Sequence, residues 1–130
     1  MSWQPEIDEI RRREGLAREM GGAANVERQH AAGRLTVRER IDRLLDPGSF
    51  HEAGALAGQA KYDAEGNLVA FTPSNFVTGT GRIDGRPVVV GGDDFTVRGG
   101  AADAAIGNKI VHGEKLARGM RMPMIRLVDG

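Results

Sequence analysis

Apolar positions along the chain change period twice, and each change marks a different kind of element. In the first part, Ile7, Ile10, Ala17 and Met20 fall near one face of a helix over residues 5–20, with Pro5 in its first turn. Gly21 and Gly22 break that pattern, and a second helix is predicted over residues 25–32. Thr36-Val37-Arg38-Glu39 is a capping box: the Thr36 hydroxyl can accept from the Glu39 amide while the Glu39 carboxylate reaches back. The helix that follows buries Ile41, Leu44 and Leu45, and Asp46-Pro47-Gly48 stops it. Residues 1–48 therefore read as an N-terminal helical arm whose apolar stripe is narrow and needs a surface to lie against.

Residues 50–72 commit to no period. Short strands near Phe50 and over residues 68–71, with a turn at Asp63-Ala64-Glu65-Gly66-Asn67, fit as well as a loop does. Beyond them, Phe76-Val77-Thr78-Gly79-Thr80-Gly81-Arg82-Ile83 is strand-like, and Asp84-Gly85 is a strong hairpin signal. Arg86-Pro87-Val88-Val89-Val90 returns as its partner. The Gly79-Thr80-Gly81 triplet is no dinucleotide fingerprint: it sits inside a strand, lacks the third glycine and leads to a hairpin. Ile106, Ile110, Gly113, Ala117 and Met120 then recur at helical spacing, in a helix that begins near Asp103 and ends before Pro123. Gly107, Gly113 and Gly119 each cost about 1 kcal/mol inside a helix, an expense that fits close packing on a sheet or another chain. Residues 124–128 form a last strand, expected parallel to the second strand of the hairpin in a ββαβ unit.

Composition narrows the functions available. The 130 residues carry 18 basic and 18 acidic side chains, which gives a nucleic-acid partner no basic excess to bind. Arg11-Arg12-Arg13 lies among Glu6, Asp8, Glu9, Glu14 and Glu19, with pairs such as Glu9–Arg13 and Glu14–Arg18 in reach, so it reads as a solvated, salt-bridged face. Cysteine is absent, which excludes disulfides, thiolate catalysis and thiolate metal sites. No apolar run approaches the ~18 residues of a membrane span, and the acidic N-terminus argues against secretion, so a cytoplasmic protein without a membrane partner is expected. His30, His51 and His112 stand singly, and Asp93 and Asp94, as strand neighbours, point to opposite faces; no metal site is expected. The chain stops two residues past a strand that a further element would normally cover, which reads as a fragment.

The candidate chemistry lies between the hairpin and the crossover helix, in Gly91-Gly92-Asp93-Asp94-Phe95-Thr96-Val97-Arg98-Gly99-Gly100-Ala101-Ala102. A strand that empties through Gly-Gly into a helix start offers unpaired amides to an anion or a polarised carbonyl. A tight corner alone explains the two glycines as well.

Three stretches carry a resemblance. Gly33 through Phe50 (GRLTVRERIDRLLDPGSF), Val77 through Arg86 (VTGTGRIDGR) and Asp94 through Gly100 (DFTVRGG), together with Lys109 and Leu127-Val128-Asp129, resemble the N-terminal portion of acyl-CoA carboxylase β subunits. These are the biotin-dependent carboxyltransferases acting on propionyl-, acetyl- or methylcrotonyl-CoA, and the resemblance covers about a hundred of the 130 residues. It implies an α/β chain: a partial crotonase-like ββα fold over residues 49–130, preceded by the N-terminal helical arm. It also implies transfer of a carboxyl group from carboxybiotin, as co-substrate, to the α-carbon of an acyl-CoA, with main-chain amides stabilising the oxyanions. No cofactor bound by the chain itself is implied. The implied partners are acyl-CoA, a biotinylated carboxylase subunit or carrier, and further copies of a longer parent subunit. Such subunits are several times longer, and their oxyanion loops mostly follow the position of Asp129-Gly130. Ala101 stands where many members have serine.

On that resemblance the substrate-binding candidates are Arg98, Gly99, Gly100 and Ala101; no catalytic side chain is assigned. Arg98 fits a CoA phosphate or an ion pair with Asp93 or Asp94. Lys109 fits a functional lysine or a solvated helix position, while Phe95 and Val97 read as core. Two other classes stand beside this one: a non-catalytic assembly or regulatory piece that pairs through its last strand and helical arm, and an unrelated CoA- or nucleotide-binding module.

Overall fold

A computed structural model describes residues 1–101 and 107–129. Three helices come first: α1 (Gln4–Arg18), α2 (Ala23–Ala31) and α3 (Val37–Leu44). Strands β1 (His51–Ala53), β2 (Gly58–Tyr62), β3 (Leu68–Pro73), β4 (Phe76–Ile83) and β5 (Arg86–Asp93) follow, then α4 (Gly107–Met120) and β6 (Met124–Leu127). The main sheet has the order β1-β4-β5-β6, antiparallel except that β6 runs parallel to β5, as the ββαβ reading requires. Residues 50–72, open in the sequence, supply β1 as an edge strand and the separate β2–β3 hairpin, whose turn is tied by the Asp63 carboxylate accepting from the Glu65 and Asn67 amides.

The sheet is covered on both faces, which is why β5 reads as an unbroken apolar run. Side chains alternate along it. Val88 and Val90, with Val77, pack against Val37 and Ile41 of α3 and Leu45 just after it, and the α-hydrogen side of Gly92 faces Val37. On the opposite face lies α4, touching the sheet through Gly113, where an added Cβ would come within 3.1 Å of Thr78 Oγ1. Gly113 and Ala117 are buried as the helical spacing predicts; Met120, placed on the same stripe, is half exposed instead because it ends the helix. The expected helix start near Asp103, and Ile106, lie outside the described residues.

Local chemistry accounts for the joints. Thr36 caps α3 as expected, accepting from the Glu39 amide at 3.3 Å. The β4–β5 turn has positive φ at both Asp84 (49°) and Gly85 (78°), the form that follows sheet twist. Asp46, which ends α3, reaches across to accept from the Asp84 and Gly85 amides at 2.9 and 2.8 Å. In α1 the Glu9 carboxylate takes both Arg12 and Arg13, each at 2.9 Å, so the arginine run is a paired surface as read. Arg13 also donates to the Tyr62 hydroxyl and stacks over its ring, bracing α1 against the hairpin. Among the described residues no helix is long and apolar enough to cross a membrane.

Candidate functional site

The parallel strands β5 and β6 deliver their C-terminal ends side by side, and the segment leaving β5 builds the site there. Asp94 turns inward at 1% exposure, and its carboxylate accepts from the Thr96 amide at 3.0 Å and the Thr96 hydroxyl at 2.5 Å. Burial pushes the Asp94 carboxyl up, against the lowering effect of the Thr96 bonds. The Thr96 hydroxyl in turn accepts from the Gly21 amide at 3.0 Å. That contact docks the α1–α2 corner on this segment, and a Cβ at Gly21 would overlap the Thr96 carbonyl at 1.9 Å. Gly21 thus does more than interrupt a helical pattern.

Arg98–Gly100 form a single 3₁₀ turn with φ of 50°, 61° and 69° in succession. Two glycines suit that left-handed run. Gly100 is required twice over, because a Cβ there would meet the Asp129 carbonyl oxygen at 2.7 Å as the chain leaves β6. The Gly100 amide donates to the Val97 carbonyl and the Ala101 amide to the Arg98 carbonyl, both at 3.1 Å. Those two amides are spent inside the turn. The expectation that they stand unpaired for an oxyanion is corrected accordingly. The Ala101 carbonyl accepts from Asn75 at 2.5 Å, while the Asn75 carbonyl accepts from the Asp94 amide.

Arg98 and Gly99 do border a cleft, of about 560 Å³, together with Asn25, Arg28, Gln29, Ala32, Arg34, Phe95 and Thr96. Three arginines therefore line one opening, and the Arg34 guanidinium also pairs with Asp129 at 3.6 Å. Arg34 lies over the Phe95 ring at 5.3 Å, so Phe95 is half-buried and lines the cleft, whereas Val97 is core as predicted. Gln29, buried at 5% exposure, donates to the Leu35 carbonyl and to Asp129 Oδ2, fixing the rear wall. Nothing in the sequence marked Arg28, Gln29 and Arg34 as lining a cleft; the docking of Gly21 on Thr96 brings α2 to a segment about seventy residues away. Another concavity, about 500 Å³ and lined by Asp46, Ser49, His51 and Arg82 among others, lies at the opposite end of β5 and shares no lining residue with the cleft. In open sheets ligands bind beyond the carboxyl ends of parallel strands, which favours the arginine cleft.

The remaining candidates separate. Asp93 pairs with Arg126 at 3.4 Å and accepts from the Asp129 amide, so Asp93 and Asp94 diverge. Lys109 is half-buried rather than fully solvated: its Nζ donates to Ser74 Oγ at 2.9 Å, and burial lowers its pKa to about 8. His30 bonds Glu39, and His112 is exposed on α4.

An antiparallel hairpin, a crossover helix and a parallel strand, with a cleft at the strand ends, make this a crotonase-like α/β chain. Residues 28–130 match the model of the carboxyl transferase domain, and the chain belongs to that family. It is 40% identical over 111 residues to the mitochondrial propionyl-CoA carboxylase beta chain of Sus scrofa, covering 84% of this chain and 21% of the relative. It is 45% identical over 92 residues to the methylmalonyl-CoA carboxyltransferase 12S subunit of Propionibacterium freudenreichii subsp. shermanii, covering 70% and 17%. The solved hexameric transcarboxylase 12S with methylmalonyl-coenzyme A and methylmalonic acid bound superposes with a TM-score of 0.85 at 33% identity, over 100% of this chain and 26% of that one. The chain thus spans about a fifth of the length of these curated relatives.

Proposed function

We propose that this chain is the acyl-CoA-binding segment of a biotin-dependent carboxyltransferase, which moves a carboxyl group from carboxybiotin to the α-carbon of an acyl-CoA. Family membership supports the reaction class. The convergence of Arg28, Arg34 and Arg98 on the cleft beside Gly99 is the observation that carries the binding role. Guanidinium groups match phosphate oxygens in planar, bidentate contacts, and CoA brings several phosphates. Substrate contact is then made by the Arg98 side chain and by the Gly99 and Gly100 backbone surface. Ala101 acts through its carbonyl, which Asn75 holds to keep the turn in place. In the complete reaction the chain works with a biotinylated carboxylase subunit or carrier and with further copies of a carboxyltransferase subunit, in the cytoplasm.

Isothermal titration of the chain with CoA and with dephospho-CoA tests this. CoA should bind saturably, dephospho-CoA more weakly, and Arg28→Ala should reduce affinity for CoA. Absence of binding, or equal affinity for both compounds in wild type and variant, would refute the binding role.

One observation favours a second reading, an assembly piece: β6 lies at the edge of the main sheet, where an unpaired strand side is a pairing template. Light scattering separates the two, since a monomer that binds CoA excludes assembly as the primary role.

A further inference from the structure

We propose that Lys109 is an amine nucleophile that takes acyl groups from thioesters, so that the chain acylates itself at one position. The amine has an unusual setting. It is half-buried at the start of α4, and its hydrogen-bond partner is the neutral hydroxyl of Ser74, which itself donates to the Phe76 carbonyl. Glu52 of β1, the acid whose charge acts on Lys109, is already engaged by the Arg38 guanidinium of α3 in a two-pronged pair at 2.8 and 3.0 Å. Among the described residues no carboxylate lies within ion-pair distance of Nζ. Gly54, at φ 73°, passes over the stem, and a Cβ there would press on Lys109 Cε at 3.3 Å.

A half-buried ammonium facing one hydroxyl is a poor resting state, and the balance shifts toward the neutral amine. Burial is the largest cause of the lowered pKa, with Glu52 raising it and Arg38 lowering it. At about pH 7.5 roughly a quarter of Lys109 is unprotonated, against about one in a thousand for an ordinary lysine. In the step itself the free amine attacks the thioester carbonyl carbon. The C–N bond forms and the C–S bond breaks. The thiolate leaves and takes up the proton lost by nitrogen, giving an amide and a thiol with no other reactant.

Position couples this amine to the proposed ligand wall. Ser74, which holds Lys109, is followed by Asn75, which holds the Ala101 carbonyl. Delivery of the acyl group by CoA rests on the function proposed above; the reactivity of the amine does not.

The chain contains three lysines, and Lys61 and Lys115, both exposed, serve as internal controls. The folded protein is incubated with an acyl N-acetylcysteamine thioester, or with the matching acyl-CoA, across a range of pH, and the adducts are mapped by peptide mass spectrometry. Lys109 should acylate at least about tenfold faster than Lys61 or Lys115 near neutral pH, the free-amine advantage being offset by lower basicity and partial burial. Its rate should level off above about pH 8, while that of Lys61 keeps rising towards about pH 10. Lys109→Arg should remove the fast adduct, and Ser74→Ala should keep it. Faster reaction with the CoA thioester than with the small one supports both the amine and the CoA cleft. Equal rates support the amine and count against CoA delivery. Even labelling of the three lysines, or Lys109 labelling only after unfolding in urea, overturns the proposal.

Discussion

Gly113 and Gly119 sit on the same helix, and replacing each by alanine separates packing from helix propensity. An added Cβ at Gly119 meets nothing within 4 Å. Gly119→Ala should therefore gain about 0.5–1 kcal/mol, the usual difference between glycine and alanine reduced by its place in the last turn. At Gly113 the same gain is opposed, because the Cβ lies 3.1 Å from Thr78 Oγ1 and 3.6 Å from Met124 Cε. Thr78 is 1% exposed and its hydroxyl donates to the Val90 carbonyl at 2.8 Å, so yielding means weakening a buried hydrogen bond worth about 0.5–1.5 kcal/mol. Gly113→Ala should be neutral to destabilising, leaving the two variants about 1–2 kcal/mol apart. With a urea slope of about 1–3 kcal/mol per molar, that is a midpoint difference of roughly 0.3 to 2 molar. In a Thr78→Ala background the obstruction is gone, and Gly113→Ala should become stabilising, a coupling of about 1 kcal/mol. If Gly113→Ala stabilises the wild type as much as Gly119→Ala does, and shows no coupling to Thr78, the close approach of α4 to the sheet is wrong.

Other perturbations probe the joints and the buried charges. Thr36→Ala removes the cap of α3 and should cost about 1 kcal/mol by urea denaturation, with Thr36→Ser recovering most of it. Lys109→Met should stabilise by about 1–2 kcal/mol at neutral pH, a value discounted for the half-exposed side chain. The folded pKa of Lys109 is lowered, so the unfolded chain holds more protons between about pH 8 and the ordinary lysine value. Wild-type stability should rise across that window and the advantage of the variant should close, as denaturation at several pH values would show. Asp94 carries the opposite sign. Its raised carboxyl favours the fold at low pH and loses that contribution as pH climbs through the folded value, so Asp94→Asn should gain on wild type as pH rises from about 4. Asp94→Ala, which frees Thr96, should instead increase hydrogen exchange at Gly21.

Much of the main sheet was legible because its signals are local. Asp84-Gly85 specifies the turn it forms, Thr36 and Glu39 specify the cap, and the period of Gly113 and Ala117 specifies the buried side of α4. β2 was not legible: all five of its residues are exposed, so no alternation marks it. The cleft was half legible. Arg98 and Gly99 stand in a recognisable glycine-rich segment, but Arg28 and Arg34 reach them through the Gly21–Thr96 hydrogen bond, a contact between positions 75 residues apart. The steric need for glycine at position 100 was hidden for a related reason. The Asp129 carbonyl that excludes a side chain there arrives from β6, and no neighbouring residue announces it.

The binding role is tested most directly by titrating CoA into the ¹⁵N-labelled chain and following the amide resonances. Shifts should concentrate on Arg28, Gln29, Ala32 and Arg34 and on the amides of Phe95 through Gly100, and should diminish in Arg28→Ala. Shifts centred instead on Ser49, His51 and Arg82, at the far end of β5, or no saturable shifts at all, would contradict it.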